Sequence, residues 1–335
     1  MRHNALHILL VAFLAALSAG ATESDTCKCK TRVPLLERPF FTEGIIGRAI
    51  RAFSDSDTAY VEYSHYNWST MASADAQVQH YAISTPDGFL RTGPGPTISV
   101  APHFGWRWLV YGYSFNVWGG DNKLKTQHLS FYTRPLGVDL CYQKNSGNFY
   151  DRRPESALSD GGAPPLAHFR SKLITAHAFY IFNHFKFSYS AALTQGAPQR
   201  RSAGSWLLGL RYDHQNAEMD THIFYHNIGL STGYAYNWVF ARNWLLGAGL
   251  QPGAGFTLWR ENNAEGPLRT RAFNATLVGR VGLVWTDGTY FAGASAITHN
   301  YFFFRSATSF TNSLNYFSIY AGVKFGLRKK YKKRD

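Results

Sequence analysis

The chain has 335 residues, with 34 Lys and Arg against 21 Asp and Glu and a formal net charge of +13. Aromatic residues make up 16% of it and charged residues only 16%, against roughly 25% charged in an ordinary soluble domain, and no stretch after the first 21 residues has the ~18 consecutive apolar residues of a membrane helix. That profile excludes a helical membrane protein and points to a closed β-barrel in lipid, whose alternating strands keep the mean hydropathy near zero, here −0.24.

In chain order, residues 1–21 read as a cleaved secretory signal peptide. Arg2 and His3 form a basic start, Ile8 to Leu17 an apolar core too short to span, and Ser18-Ala-Gly-Ala21 a small-residue cleavage zone. Residues 22–57 read as a periplasmic N-terminal segment. Within it Ile45, Ile46, Ala49, Ile50 and Phe53 recur at helical spacing behind Thr42 and Glu43, which predicts a short amphipathic helix. Cys27, Cys29 and Cys141 are an odd number of thiols without a pairing pattern, and Cys-Lys-Cys falls short of a four-ligand zinc site. No metal or cofactor is expected.

From Thr58 onward the period is two, and residues 58–327 read as an all-β, antiparallel transmembrane β-barrel of about 12 strands, within a range of roughly 10–14. In Pro102–Trp118, Phe104, Trp106 and Trp108 alternate with His103, Gly105 and Arg107, after which Leu109, Tyr111, Tyr113, Phe115 and Val117 carry the bulk. The flip of parity predicts two strands meeting in a tight turn or bulge near Trp108–Leu109, with large side chains toward lipid and Arg107 toward water. Further candidate strands are Tyr60–Tyr66, Lys125–Thr133, Leu136–Lys144, Lys172–Phe182, Lys186–Leu193, Ser205–Asp213, Leu230–Phe240, Trp244–Leu250, Phe273–Trp285, Tyr290–Phe304 and Tyr316–Leu327. Gly119-Gly-Asp-Asn122, Arg134-Pro135 and Asp287-Gly288 are turn signals between them. Asn145–Leu166 and Arg260–Thr270 read as exposed polar loops, and Arg328–Asp335 as a basic C-terminal tail. Lys and Arg are otherwise scattered, so the counter-charge expected for an exported chain is anionic lipid rather than nucleic acid. A soluble secreted β-sandwich presents the same alternation to a core and stands as an alternative.

Tyr60–Met71, Ala101–Phe115 and Leu129–Phe149, with their Tyr-Asn-Trp and Gly-Trp-Arg-Trp pieces, resemble the family known as domain of unknown function 4421, outer-membrane β-barrel proteins of Gram-negative bacteria. The resemblance runs from about Phe53 to Leu327 and implies a barrel in the cell outer membrane; it implies no activity.

The chemistry in the sequence is sparse. Serine-histidine catalysis needs a His beside a Ser, and His103 shares a strand face with Ser99. The inward acids Glu62, Asp139 and Asp213 fall on separate strands, which does not suit paired-carboxylate work. Gly247-Ala-Gly249-Leu-Gln-Pro-Gly253 lacks dinucleotide-loop spacing; glycines there relieve crowding or permit a bend. By parity, Glu62, His103, Arg107, Asp139, Arg211, Asp213, Arg280 and Lys324 are the candidate lumen-facing polar residues. They form either a salt-bridged plug that stiffens the barrel or a slightly cationic pocket or pore for small solutes. The expected role is a structural barrel or small-solute pore, with a rim-site envelope enzyme acting on lipid as the alternative. The expected partners are outer-membrane lipids, lipopolysaccharide and the barrel-assembly machinery.

Overall fold

A computed structural model describes residues 57–62, 64–85, 88–151, 165–218, 222–263, 266–305 and 308–328. The expected signal peptide, the expected N-terminal segment with its amphipathic helix, and the tail beyond Arg328 lie outside them. The strands are β1 (Tyr66–Thr85), β2 (Gly88–Pro94), β3 (Thr97–Trp106), β4 (Leu109–Trp118), β5 (Lys123–Tyr132), β6 (Leu136–Asp151), β7 (Pro165–Ile181), β8 (Ala203–Glu218), β9 (His222–Ala241), β10 (Trp244–Asn263), β11 (Gly266–Thr286), β12 (Tyr290–Arg305) and β13 (Thr308–Leu327). Every pairing is antiparallel, and all but three join chain neighbours: β1 also pairs with β3, β2 with β6, and β13 with β1 along most of its length, from Tyr66↔Leu327 to Ser84↔Ser309. That seam closes the sheet into a barrel.

Thirteen strands make a twelve-membered ring, because β2 and β3 are two halves of one return strand along β1. β2 pairs with Tyr81–Thr85 and β3 with Trp68–Gln77. Prolines at 94 and 96 interrupt the run between them. β4 and β5 form a short hairpin, and beyond its tip β2 pairs directly with β6 at Pro94↔Phe149. The wall therefore has fewer strands at the far end, which holds Thr85 and Thr308, than at the near end, where β1 begins and β13 finishes.

Burial is inverted relative to a soluble protein. On β8, Trp206, Leu208 and Leu210 are exposed while Ser205, Gly209 and Asp213 are buried. Leu230, Phe256 and Ile319 are each more than 60% exposed, whereas Asn227, Thr257 and Asn274 are almost fully buried. A water-soluble sandwich places these groups the other way round, so an apolar exterior around a polar bore rules it out for the described residues. Strands of 16–21 residues also exceed the ~9–11 that cross a bilayer. The surplus lies mostly at the far end, where β8, β9 and β10 carry outward His214, Asn216, His222 and Arg260 beyond the apolar band.

Several sequence expectations change. β1 escaped the pattern because its outward face is Ala72, Ala74 and Ala76 rather than aromatic. Of Tyr60–Tyr66, Tyr66 opens β1 and Val61 makes an isolated bridge to Gln199; the other described residues of the run are not in a strand. Lys186–Leu193 turns into the bore through a single 3-10 turn at Tyr189–Ala192. Residues 145–151 are ladder rather than loop, as are Arg260–Asn263 and Gly266–Thr270, because hydrogen bonding carries the hairpins past the apolar band.

Candidate functional site

The bore is where the polar side chains converge, and it is crossed at several levels. Closest to the end where β1 begins and β13 finishes is the β7–β8 connection, residues 182–202, which folds inward as a lid. Its entry is set by Asn183, whose amide donates to Ser205 Oγ at 2.9 Å and whose side chain donates to the Gly204 carbonyl at 2.8 Å. Phe187 and Tyr189 then insert into a buried cluster with Phe179, Ile181, Leu207 and Ala235. Tyr189 lies 4.3 Å from the Phe179 ring and the Arg280 guanidinium sits 4.5 Å above it, a cation–π contact from β11. Asn237 on β9 donates to the Ser188 carbonyl at 2.7 Å, and Tyr320 on β13 donates to that of Ala192 at 3.3 Å. Two glycines make room for this crossing: a Cβ at Gly247 would stand 2.5 Å from the Ala192 methyl, and one at Gly282 would stand 2.8 Å from its carbonyl oxygen. Gln199 ties the lid's return, accepting from the Ser188 amide and donating to the Lys186 and Arg201 carbonyls. Its backbone is held outside by Glu62 N to Pro198 O and Arg200 N to Tyr60 O.

Deeper in the bore, Arg211 and Asp213 stand two residues apart on β8 and therefore on one face. Arg211 Nε is 3.0 Å from both carboxylate oxygens. Asp213 also accepts from Thr175 at 2.7 Å, Asn227 at 3.0 Å and Tyr301 at 3.4 Å. Arg211 Nη1 donates to His299 Nδ1 at 3.1 Å, four places round the ring on β12, so the contact spans the bore. Asn274 donates to Asn227 and Thr257, carrying the network over β9, β10 and β11. A second group forms around Asp139, which accepts from Ser130 and Tyr132 at 2.7 and 2.5 Å. A third forms around Asp75, which accepts from Ser73 and Ser318 at 3.0 and 2.5 Å. Nearer the far end Gln143 on β6 donates to Gln77 on β1 at 3.3 Å, again across the interior. Above it Tyr81 stacks edge-on against Phe149 and face-on against Phe310.

Of the eight residues singled out in the sequence, the structure puts His103, Asp139, Arg211, Asp213, Arg280 and Lys324 on the inner face. It joins Arg211 to Asp213 and distributes the others among separate contacts. Lys324 is buried with its ammonium 5.7 Å from the Phe291 ring. Two corrections follow. Arg107 lies in the two-residue β3–β4 turn with φ +54°, is exposed, and donates to Asn67 Oδ1 at 3.1 Å. The turn falls one residue earlier than the aromatic alternation suggests, which removes Arg107 from the strand face. Glu62 precedes β1 and pairs with Arg200 at 2.8 Å and His65 at 3.4 Å. That carboxylate raises the pKa of the exposed Arg200 guanidinium above its ordinary value by hydrogen bond and charge.

His103 meets Ser73 of β1, at 3.1 Å, and not Ser99, whose buried hydroxyl lacks a partner. Asp75 accepts from the same Ser73 hydroxyl. The acid thus bonds the serine and leaves the imidazole unoriented, unlike a nucleophile–base–acid relay. Among the described residues no group of three His, Cys, Asp or Glu converges as metal ligands. The sequence reading missed the lid residues Phe187 and Tyr189, the β9 residue Asn237 that holds the lid, and the network members Asn227, Asn274 and His299. A signal for the lid was present: Lys186–Leu193 is bracketed by Asn183-His184 and by Gln195-Gly-Ala-Pro198, turn chemistry on both sides.

The profile of a family described as domain of unknown function 4421 matches residues 55–325. No curated protein matches the chain. Among solved structures, the outer membrane protease OmpT from Escherichia coli is 7% identical, with 80% of this chain and 100% of that chain covered and a TM-score of 0.41. The Pseudomonas putida toluene transporter TodX is 8% identical, covering 77% and 90%, with a TM-score of 0.29. Neisserial surface protein A is 13% identical, covering 76% and 97%, with a TM-score of 0.26. Superpositions at that level carry no argument about activity.

Proposed function

Because the chain belongs to the domain of unknown function 4421 family, which brings no activity with it, we propose its role from the bore and the exterior alone: a sealed outer-membrane β-barrel, an integral envelope component and not a standing diffusion pore. The observation that carries this reading is the crossing of the bore by the chain's own groups, at the lid, at Arg211–His299 and at Gln143–Gln77. The outward band of Trp206, Leu208, Leu230, Tyr234, Phe256 and Ile319 suits hydrocarbon and its interface. The polar extensions at the far end suit the extracellular side, as protruding hairpins do in outer-membrane barrels, and in this reading both barrel ends of the chain lie at the periplasm. In this reading residues 1–21 export the chain, the barrel-assembly machinery inserts it, and lipopolysaccharide and phospholipid surround it.

The test is conductance in planar bilayers. The folded protein, verified by heat-modifiable gel migration, leaves the bilayer silent at a few hundred millivolts. Steady ohmic steps would overturn the sealed reading in favour of a pore. A gated transporter is the second reading. It is favoured by one feature: the lid is a single connection whose departure breaks the isolated Val61–Gln199 bridge but none of the pairings among β1–β13, and brief, sparse openings would support it.

A further inference from the structure

A row of lysines on the outside of the barrel has no carboxylate partner among the described residues. Lys125 on β5 stands opposite Lys144 on β6, and Lys144 stands opposite Lys172 on β7. All three are outward and exposed. Directly opposite residues in antiparallel strands hold their Cβ atoms roughly 5 Å apart, and like charges so placed repel. The row continues to Phe115 on one side and Asn216 on the other, neither of which offers a carboxylate. Among the described residues none of the three lysines takes part in a salt bridge. One rung farther out lie Lys123, Ser146 and Arg170, with Glu218, itself 3.6 Å from His222, beside Arg170 in register.

The position of the row identifies what neutralises it. On β6 the outward side chains run Leu136, Val138, Leu140, Tyr142 and then Lys144; on β7 they run Tyr180, Ala178, Ala176, Ile174 and then Lys172. Lys144 and Lys172 each follow the last of these apolar positions, while on β5 the exposed Gln127 lies between Leu129 and Lys125; a butyl stem so placed covers apolar surface and the ammonium reaches the head-group layer. Eight residues of strand cover about 26 Å, or roughly 20 Å of bilayer depth at the usual barrel tilt. The row therefore stands a few ångströms inside the far edge of the ~25 Å apolar band of an outer-membrane barrel, a gap that a lysine stem spans. Its width, two strand spacings or about 10 Å, exceeds a single phosphate and suits a head group that carries more than one.

We propose that Lys125, Lys144 and Lys172 form a binding site for the phosphates of a lipid head group, supplied by the phosphorylated glycolipid of the outer leaflet. This rests on the outer-membrane reading above. The site uses charge that the fold itself leaves uncompensated, so occupancy stabilises the barrel as well as retaining the lipid.

The full chain, folded in zwitterionic micelles, is compared with the triple variant Lys125→Gln/Lys144→Gln/Lys172→Gln by native mass spectrometry and thermal melting. The probes are diphosphorylated lipid A, the same glycolipid without phosphates, and phosphatidylglycerol. The parent is expected to retain lipid A about a hundredfold more tightly than the variant, the combined effect of three lysines near an anionic group, and to lose that preference for the dephosphorylated glycolipid. Without lipid the variant melts at the same or a higher temperature than the parent, since repulsion is relieved; lipid A reverses the order. Equal lipid A retention by parent and variant overturns the proposal. Equal retention of lipid A and phosphatidylglycerol by the parent overturns the glycolipid assignment. A parent that folds in micelles but ignores lipid A sinks the site and spares the membrane reading. A parent that does not fold in micelles sinks both.

Discussion

Removing Asp213 alone should destabilise the barrel severely, while removing it together with Arg211 should not. Asp213 is 1% exposed, and Arg211 depends on it for its only carboxylate contacts among the described residues. Asp213→Ala leaves a buried guanidinium beside His299 and the Tyr301 ring without a carboxylate partner among the described residues, a loss of about 3–5 kcal/mol. It also strips the acceptor from Thr175, Asn227 and Tyr301; their partial reorganisation adds about 1 kcal/mol. The single variant should therefore fall by about 4–6 kcal/mol. In the Arg211→Met/Asp213→Leu variant the charge and its desolvation penalty vanish together, and stability should return to within about 2 kcal/mol of the parent. Urea unfolding of the vesicle-inserted protein, followed by tryptophan fluorescence and heat-modifiable migration, measures both. A loss below about 1 kcal/mol for Asp213→Ala, or a double variant as weak as the sum of its singles, would refute the claim that this pair is desolvated inside a filled bore.

Three further outcomes follow from the same geometry. Gly247→Leu should expel the lid by overlapping Ala192; a cysteine placed at buried Ser190 should then react with a water-soluble maleimide while the barrel still migrates as folded, and unchanged protection would contradict the packing described. Ala72 and Ala321 face each other across the closing seam, so Ala72→Cys/Ala321→Cys should cross-link on mild oxidation, as opposed strand positions permit; Ala72→Cys with cysteine at the next outward position, Val323, should not. The Asp287 carboxyl is held below its ordinary pKa by the amides of Tyr290 and Thr289 in the β11–β12 turn. A depressed folded pKa means the contribution is present above the unfolded value and lost as pH falls through the folded one. Exchange of those two amides should therefore quicken, relative to the intrinsic rate, only as pH drops below the ordinary Asp range of about 4, and Asp287→Ala should abolish that acid dependence.

Strands whose outer face is bulky were legible from alternation alone: β8, β9, β11 and β13 carry Trp, Leu, Tyr and Phe at every second position. The same rule failed at β1, where Ala72, Ala74 and Ala76 carry no contrast against Ser73, Asp75 and Gln77. It failed in the opposite sense at the lid, where Phe187 and Tyr189 alternate like a strand but are buried by tertiary contacts that only a closed ring supplies. Inner-face parity located Arg211 and Asp213, because side-chain direction in a strand is a local property. It gave no access to Asn227, Asn274 or His299 as their partners, since cross-strand register and cross-bore distance are fixed by the whole barrel. Arg107 was misplaced by a single residue of turn position: its left-handed backbone is unusual for a side chain of that size, so the residue type gave no warning.

The most direct test of the account is a nitroxide scan from Asn227 to Trp238 on β9 in lipid vesicles, reading collisions with lipid-soluble oxygen and with a water-soluble nickel chelate. Labels at Ile228, Leu230, Tyr234, Tyr236 and Trp238 should collide with oxygen and be shielded from nickel, while their odd-numbered neighbours should be shielded from oxygen. An outer set that collides chiefly with nickel, or a scan without the two-residue period, would contradict a barrel embedded in hydrocarbon.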